Sequence, residues 1–169
     1  MNKKLRLLVT NKCYRNCPMC CNKNFDINSI RGLDDLTQYD EVSITGGEPM
    51  LVNNNILIEF VKLLHTMGKK VYLYTAVATV DTIDLGIYSF LDGITLTLHD
   101  NEDVEKFILA NQRCLERKNS LRKLSLVLKY FKGIQLPDVD LSMWKVRETE
   151  WIENCPLPEG EDFKKLILL

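Results

Sequence analysis

An α/β protein with parallel strands, curved into an incomplete open barrel, is the fold that three observations predict. Short β-rich runs alternate with amphipathic helical segments along the chain. The chain has 169 residues, room for five or six βα units of about 30 residues each but short of the roughly 250 of a closed eightfold barrel. No glycine-rich phosphate loop follows the first strand, as it would in a flat doubly wound sheet, which is the alternative architecture. The expectation is a TIM-like (βα)5–6 partial barrel. Residues 1–169 form a single domain, in which 130–169 are a shorter C-terminal strand and a tail that closes the barrel edge.

The elements follow in order. Residues 4–10 are largely apolar (Leu5, Leu7, Leu8, Val9) and stop in a polar loop at Asn11 and Lys12. Residues 34–39 supply one or two helical turns. Residues 41–45 form a second strand that ends at Gly46-Gly47. In 56–67, Ile56, Leu57, Phe60, Val61, Leu64 and Met67 recur at helical spacing, with Asn53 to Asn55 as caps and Gly68 as the stop. A third strand spans 70–75, and a shorter helix spans 82–91. Residues 93–98 alternate Ile94, Leu96 and Leu98 with Thr95 and Thr97, the period of a strand. Val104, Phe107, Ile108 and Leu115 share one face of a helix over 103–118. Residues 123–131 make a fifth strand and 143–151 a sixth.

Composition sets the broad class. Hydrophobic residues make up 46% and charged residues 27%, the balance of a folded globular chain. A net charge of −1 gives no reason to require nucleic acid or an anionic membrane as partner. No stretch reaches the roughly 18 apolar residues of a membrane span. The N-terminus opens like a signal peptide, but Arg6 and the polar run Thr10-Asn11-Lys12 break it, so a cytoplasmic protein is expected. Of six cysteines, Cys13, Cys17, Cys20 and Cys21 fall within nine residues, and Cys114 and Cys155 stand apart. A disulfide scaffold would spread its cysteines. A tight group in a reducing compartment points to metal or redox chemistry.

Cys13, Cys17 and Cys20 have the spacing C-x3-C-x2-C. Three thiolates on a short loop can hold three corners of a cubane cluster. A complete protein set would be four, so three leave one metal with an open position, the mark of a catalytic site. Cys21 as a fourth thiolate is the rival arrangement, giving a zinc or four-thiolate centre. Neighbouring side chains diverge from an extended backbone, which works against both Cys20 and Cys21 reaching one cluster. Cys21 is otherwise a small buried apolar residue. At the end of the second strand stands Thr45-Gly46-Gly47-Glu48-Pro49. Its glycines permit positive φ and close approach, and Pro49 holds Glu48 extended; read alone, it is a strand-to-helix turn.

Together these motifs resemble those of the radical S-adenosylmethionine (SAM) superfamily, in which C-x3-C-x2-C follows the first strand and a Gly-Gly-Glu-Pro turn the second. The resemblance covers about the first 50 residues. It implies a [4Fe–4S] cluster on Cys13, Cys17 and Cys20, with SAM on the iron left open. It places Met19 beside the adenine and the Gly46-Gly47-Glu48-Pro49 turn beside the methionine ammonium. It further implies reductive cleavage of SAM to a 5′-deoxyadenosyl radical, which abstracts hydrogen from an unidentified substrate, a protein, peptide, nucleotide or other small molecule. An electron donor such as flavodoxin or ferredoxin would be a partner. The competing class is a non-catalytic zinc or iron–sulfur module.

In a parallel barrel the loops after the strands share one face, so the cysteine loop, the Gly-Gly turn, Thr75, His99-Asp100 and Lys129 are expected to converge. His99 is a candidate for the SAM ribose and Lys129 for the SAM carboxylate; their plain alternatives are a polar strand end and a solvated position. Asp100 reads equally as a helix N-cap. Arg147 is a lesser candidate of the same kind as Lys129. Cys114 reads as core, Cys155 as a turn residue and His65 as surface.

Overall fold

The computed structural model describes residues 3–20, 22, 27–79, 86–152 and 156–168. Among them are eight strands: β1 (Lys4–Leu8), β2 (Asn28–Ser29), β3 (Glu41–Thr45), β4 (Lys70–Thr75), β5 (Gly93–Leu98), β6 (Ser125–Phe131), β7 (Lys145–Thr149) and β8 (Glu161–Lys165). They form one open sheet in the order β2-β8-β1-β3-β4-β5-β6-β7, with every pair parallel. From β1 through β3 to β7 the chain advances one strand at a time in one direction. A doubly wound sheet would reverse within such a run.

Among the described residues, three helices flank the sheet: α1 (Asn54–Thr66), α2 (Asn101–Glu116) and the short α3 (Lys118–Leu121). Asn53 caps α1 by accepting from the amides of Asn55 and Ile56. Gly68, at φ 73°, ends it. The amide of Lys69 then reaches the carbonyl of Leu64, and that of Gly68 the carbonyl of His65, closing a Schellman motif. Asp100 caps α2 through the Asp103 amide at 2.9 Å.

Period-two alternation sorts the strand residues onto two faces. Leu5, Leu7, Val42, Ile44, Val71, Leu73, Ile94, Leu96, Leu126 and Leu128 share one buried cluster with Leu57, Phe60, Val61 and Leu64 of α1 and Val104 and Phe107 of α2. Each such side chain contributes on the order of 1.5–3 kcal/mol by leaving water. Cys114 lies in this core, and burial pushes its thiol up to about 11. The other face carries Arg6, Thr45, Tyr74, Thr97 and Lys129, which line a cavity.

Eight strands are present where the sequence pattern gave five or six. The two unforeseen ones, β2 and β8, lie at one edge. β8 reads Glu161-Asp162-Phe163-Lys164-Lys165, which has no apolar period to detect, yet it pairs along all five residues of β1. Two further bonds, from the amides of Leu166 and Leu168 to the carbonyls of Leu8 and Val9, extend that pairing. The expected turns at 34–39 are a 3₁₀ turn, Leu33–Leu36. Of the helix expected over 82–91, residues 82–85 lie outside the described residues, and Ile87–Phe90 is another 3₁₀ turn. Among the described residues no helix is long and apolar enough to cross a membrane.

Candidate active site

The ends of β1, β3, β4 and β5 are tied together by a chain of short-range contacts. At β3, Gly46 and Gly47 take positive φ, 85° and 53°. Their missing side chains make room for the protein itself. A β-carbon on Gly46 would lie 2.1 Å from the Leu8 side chain, and one on Gly47 would lie 2.2 Å from the Lys12 carbonyl oxygen and 2.6 Å from that of Thr10. The Glu48 amide donates to the same Lys12 oxygen at 2.7 Å. The turn after β3 is thus seated against the strand that leads into the cysteines.

Glu48 continues the chain to β4. It is extended (φ −120°, ψ 109°), as the following proline requires, and only 2% exposed. Its carboxylate accepts from the Thr75 hydroxyl at 2.7 Å, the Ala76 amide at 2.9 Å and the Met50 amide at 3.1 Å. Burial pushes this carboxyl up against the pull of those donors. Pro49 is buried and begins the 3₁₀ turn Pro49–Leu51. Thr75 is also buried; its oxygen accepts from the Val77 amide at 2.9 Å while its hydroxyl serves Glu48.

Arg15 carries the chain to β5. It sits between the first two cysteines, and its guanidinium meets Asp100 at 3.2 Å and, more closely, Asp103. Asp103 also accepts from the His99 amide at 2.7 Å. Arg15 and Asp103 side chains are 16% and 4% exposed, so the pair is largely dry. Arg15 Nε is buried and meets no acceptor among the described residues. The expected N-cap role of Asp100 is present, and the Arg15 contact is added to it.

These ties surround a cavity of about 690 Å³ on the inner face of the sheet, a size suited to a small organic ligand. The sulfur-bearing residues Cys13, Cys17, Met19 and Cys20 lie in its wall, as do Gly47, Glu48 and Thr75. His99 and Lys129 face it from β5 and β6. Gly46 and Pro49 stand behind this wall and do not line it. Above Lys129, Phe131 stacks on Trp151 at 4.1 Å and 18°, and the His99 ring lies 5.1 Å from Phe131. Beyond β7, Glu150, Ile152, Pro156 and Pro158 also line it. Of the lesser candidates, Arg147 is exposed and His65 bonds the Phe90 carbonyl at the surface. Cys21 and Cys155 lie outside the described residues.

Cys13, Cys17 and Cys20 are free thiols. Cys13 Sγ accepts from the Arg15 amide at 3.4 Å. Burial raises the Cys17 thiol, and the proximity of Cys20 and then Cys13 raises it further, with Arg15 pulling the other way. Among the described residues no three His, Cys, Asp or Glu side chains stand close enough together to hold a metal ion. In donor chemistry the loop nevertheless suits a thiophilic centre: three thiols, a backbone amide aimed at sulfur and a buried guanidinium.

Sequence reasoning did not single out Arg15, Asp103, Phe131 or Trp151. Arg15 lies inside the motif and was legible as a cation among thiols, but its partner 88 residues away was not. No family model matches this chain, and no curated protein matches it either.

Proposed function

We propose that this chain is a radical SAM enzyme with a [4Fe–4S] cluster. The observation that carries the reading is the seating of the Gly-Gly-Glu-Pro turn on the cysteine-loop strand, through Gly47 and the 2.7 Å bond from the Glu48 amide to Lys12, at the rim of one cavity. Two motifs that only their order connects in the sequence are one structural unit. The one-directional run of strands supports reading the sheet as an incomplete TIM-like barrel with this cavity as its interior.

Cys13, Cys17 and Cys20 would hold the cluster and leave one iron open to SAM. When bound, cluster and SAM supply reductive cleavage to a 5′-deoxyadenosyl radical that takes hydrogen from substrate. The chain's own residues bind, orient and shield. Arg15 fixes the cysteine loop to α2, and Glu48 fixes the turn to β4. Met19 and Gly47 offer an apolar side chain and bare backbone to a nucleoside and an amino acid. Trp151, Phe131 and Ile152 would narrow the access of water. A flavodoxin- or ferredoxin-type donor in a reducing cytoplasm would supply the electron. A cavity of this size favours a catalyst over a purely structural zinc or iron–sulfur module, which needs no chamber beside its metal.

The test is anaerobic reconstitution with iron and sulfide, reduction with dithionite, addition of SAM and chromatography for 5′-deoxyadenosine. The wild-type protein forms it, and Cys17→Ala does not. A Cys17→Ala protein that is cluster-replete and active would sink the assignment.

A further inference from the structure

The inner face of the sheet gathers positive charge from strands far apart in it. Arg6 on β1 and Lys129 on β6 each lie 5.9 Å from the ring centroid of Tyr74, which stands on β4 between them. Arg147 on β7 is the register partner of Lys129. These cations differ in their partners. Arg6 Nε donates to Glu161 at 2.7 Å. Arg15, the other cation of the cavity wall, is held by Asp100 and Asp103. Lys129 lies over the face of Tyr74, and no carboxylate or hydrogen-bond acceptor among the described residues bonds it directly. Burial, then Arg6 and Arg147, push its pKa down, against the pull of Glu161, whose carboxylate is already bonded to Arg6. A half-buried ammonium beside two other cations, with no anion of its own in contact, is costly, and an incoming anion offsets that cost.

We propose that Lys129, backed by Arg6 and Arg147, binds the anionic group of a small substrate, a carboxylate or phosphate, inside the cavity. The rest of such a substrate points along the Phe131–Trp151 wall toward the cysteine loop. A small molecule is the fitting class because Lys129 shares the lining of a cavity of about 690 Å³ with Ile152, Pro156 and Pro158, a space suited to a small organic ligand. Assigning the anion to a substrate rests on the radical SAM reading. The anion site itself rests only on the cations of this chain.

Calorimetric titration of inorganic phosphate, and in parallel succinate, into the as-purified chain tests the site without cluster or SAM. Wild type binds at least one of the two, and the tighter one names the group. Lys129→Met weakens that binding about tenfold or more, equivalent to about 1.4 kcal/mol. Lys129→Arg keeps it within about threefold, which separates lost charge from lost fold. In reconstituted protein, the SAM affinity of Lys129→Met stays within about threefold of wild type. The proposal is overturned if wild type binds neither anion or if Lys129→Met binds as wild type does. It is equally overturned if Lys129→Met loses SAM rather than phosphate or succinate, which would give the residue to the cofactor. Failure of the cluster to form, with anion binding intact, would instead sink the radical SAM reading and leave the anion site standing.

Discussion

Gly47 faces the carbonyl oxygen of Lys12 so closely that a β-carbon would come within 2.2 Å of it. The obstacle is backbone, not a side chain that could swing away. The second glycine of the turn therefore serves first to let two segments of the same chain meet, the one that presents the cysteines and the one that presents Glu48.

Gly47→Ala is accordingly expected to cost more than a change of backbone preference. At φ 53° an alanine is strained by about 1–2 kcal/mol, and the Lys12 and Thr10 carbonyls must also move. A total loss of about 3 kcal/mol or more is expected in urea unfolding, together with lower iron uptake on reconstitution. Gly68→Ala is the control, since Gly68 has φ 73° and nothing within 4 Å of its would-be β-carbon. It should lose only the backbone term, about 1–2 kcal/mol. Equal losses at the two sites would contradict the packing argument.

Asp103→Asn tests the tie between the cysteine loop and α2. One side-chain oxygen now serves Arg15 and the other the His99 amide. An amide group must turn a donor toward one of them. The expected loss is about 2–3 kcal/mol, since the pair is nearly dry and its removal leaves a buried guanidinium. Hydrogen exchange at the amides of residues 14–17 should speed up. In a double-mutant cycle with Arg15→Met, the two losses should fall short of adding.

Much of this fold was legible because it is written in periodicity. Leu57, Phe60, Val61 and Leu64 mark α1, Ile94, Leu96 and Leu98 mark β5, and glycines mark the ends of α1 and β3. β8 was not legible because Glu161-Asp162-Phe163-Lys164-Lys165 carries a single apolar residue and no alternation to detect. Glu161 and Asp162 are placed by an arginine on β1 and a tyrosine before β3, which are long-range relationships. The candidate site divides in the same way. The cysteine spacing and the Gly-Gly turn are local and could be read. Lys129 and Arg147 stand out in the sequence as separate candidates for the SAM carboxylate, and only the sheet register brings them side by side and sets Arg6 across the Tyr74 ring. The convergence of His99, Phe131 and Trp151 joins residues beyond β5, on β6 and beyond β7, and no local pattern encodes that.

Asp162→Asn tests how β8 is held. The buried Tyr39 hydroxyl donates to Asp162 at 2.6 Å, and Lys3 lies 3.3 Å away. Chiefly the Tyr39 bond, then Lys3, hold the Asp162 carboxyl below its usual 3.8. A lowered acid contributes stability above its unfolded value and loses it as pH falls through the folded one. Wild type should therefore exceed Asp162→Asn near neutral pH and converge with it below pH 3.8. The difference should be about 1 kcal/mol or less, because Asp162 is 44% exposed and the Lys3 pair is screened. Unfolding curves from neutral to acid pH measure it, and a difference that grows toward acid would reverse the assignment.

Glu48→Gln should show the opposite slope, and the contrast separates the two carboxylates. Burial holds the Glu48 carboxyl above its usual 4.5, and three donors only partly offset it. A raised acid binds its proton more tightly in the folded state, so its contribution is full below 4.5 and is lost as pH rises through the raised value. Glutamine keeps one acceptor for Thr75 or Ala76 and sets an amide donor against the other, a loss of about 1–3 kcal/mol. That loss should be largest in acid, where wild-type Glu48 is neutral and carries no buried charge, and should shrink toward neutral pH as the wild-type protein gives up the energy of holding that charge. Urea midpoints at pH 4 to 8 for both proteins give the slope directly. A gap that widens with pH would mean that the donors from Thr75, Ala76 and Met50 outweigh burial, and that the turn is held by a carboxylate ionised throughout this range.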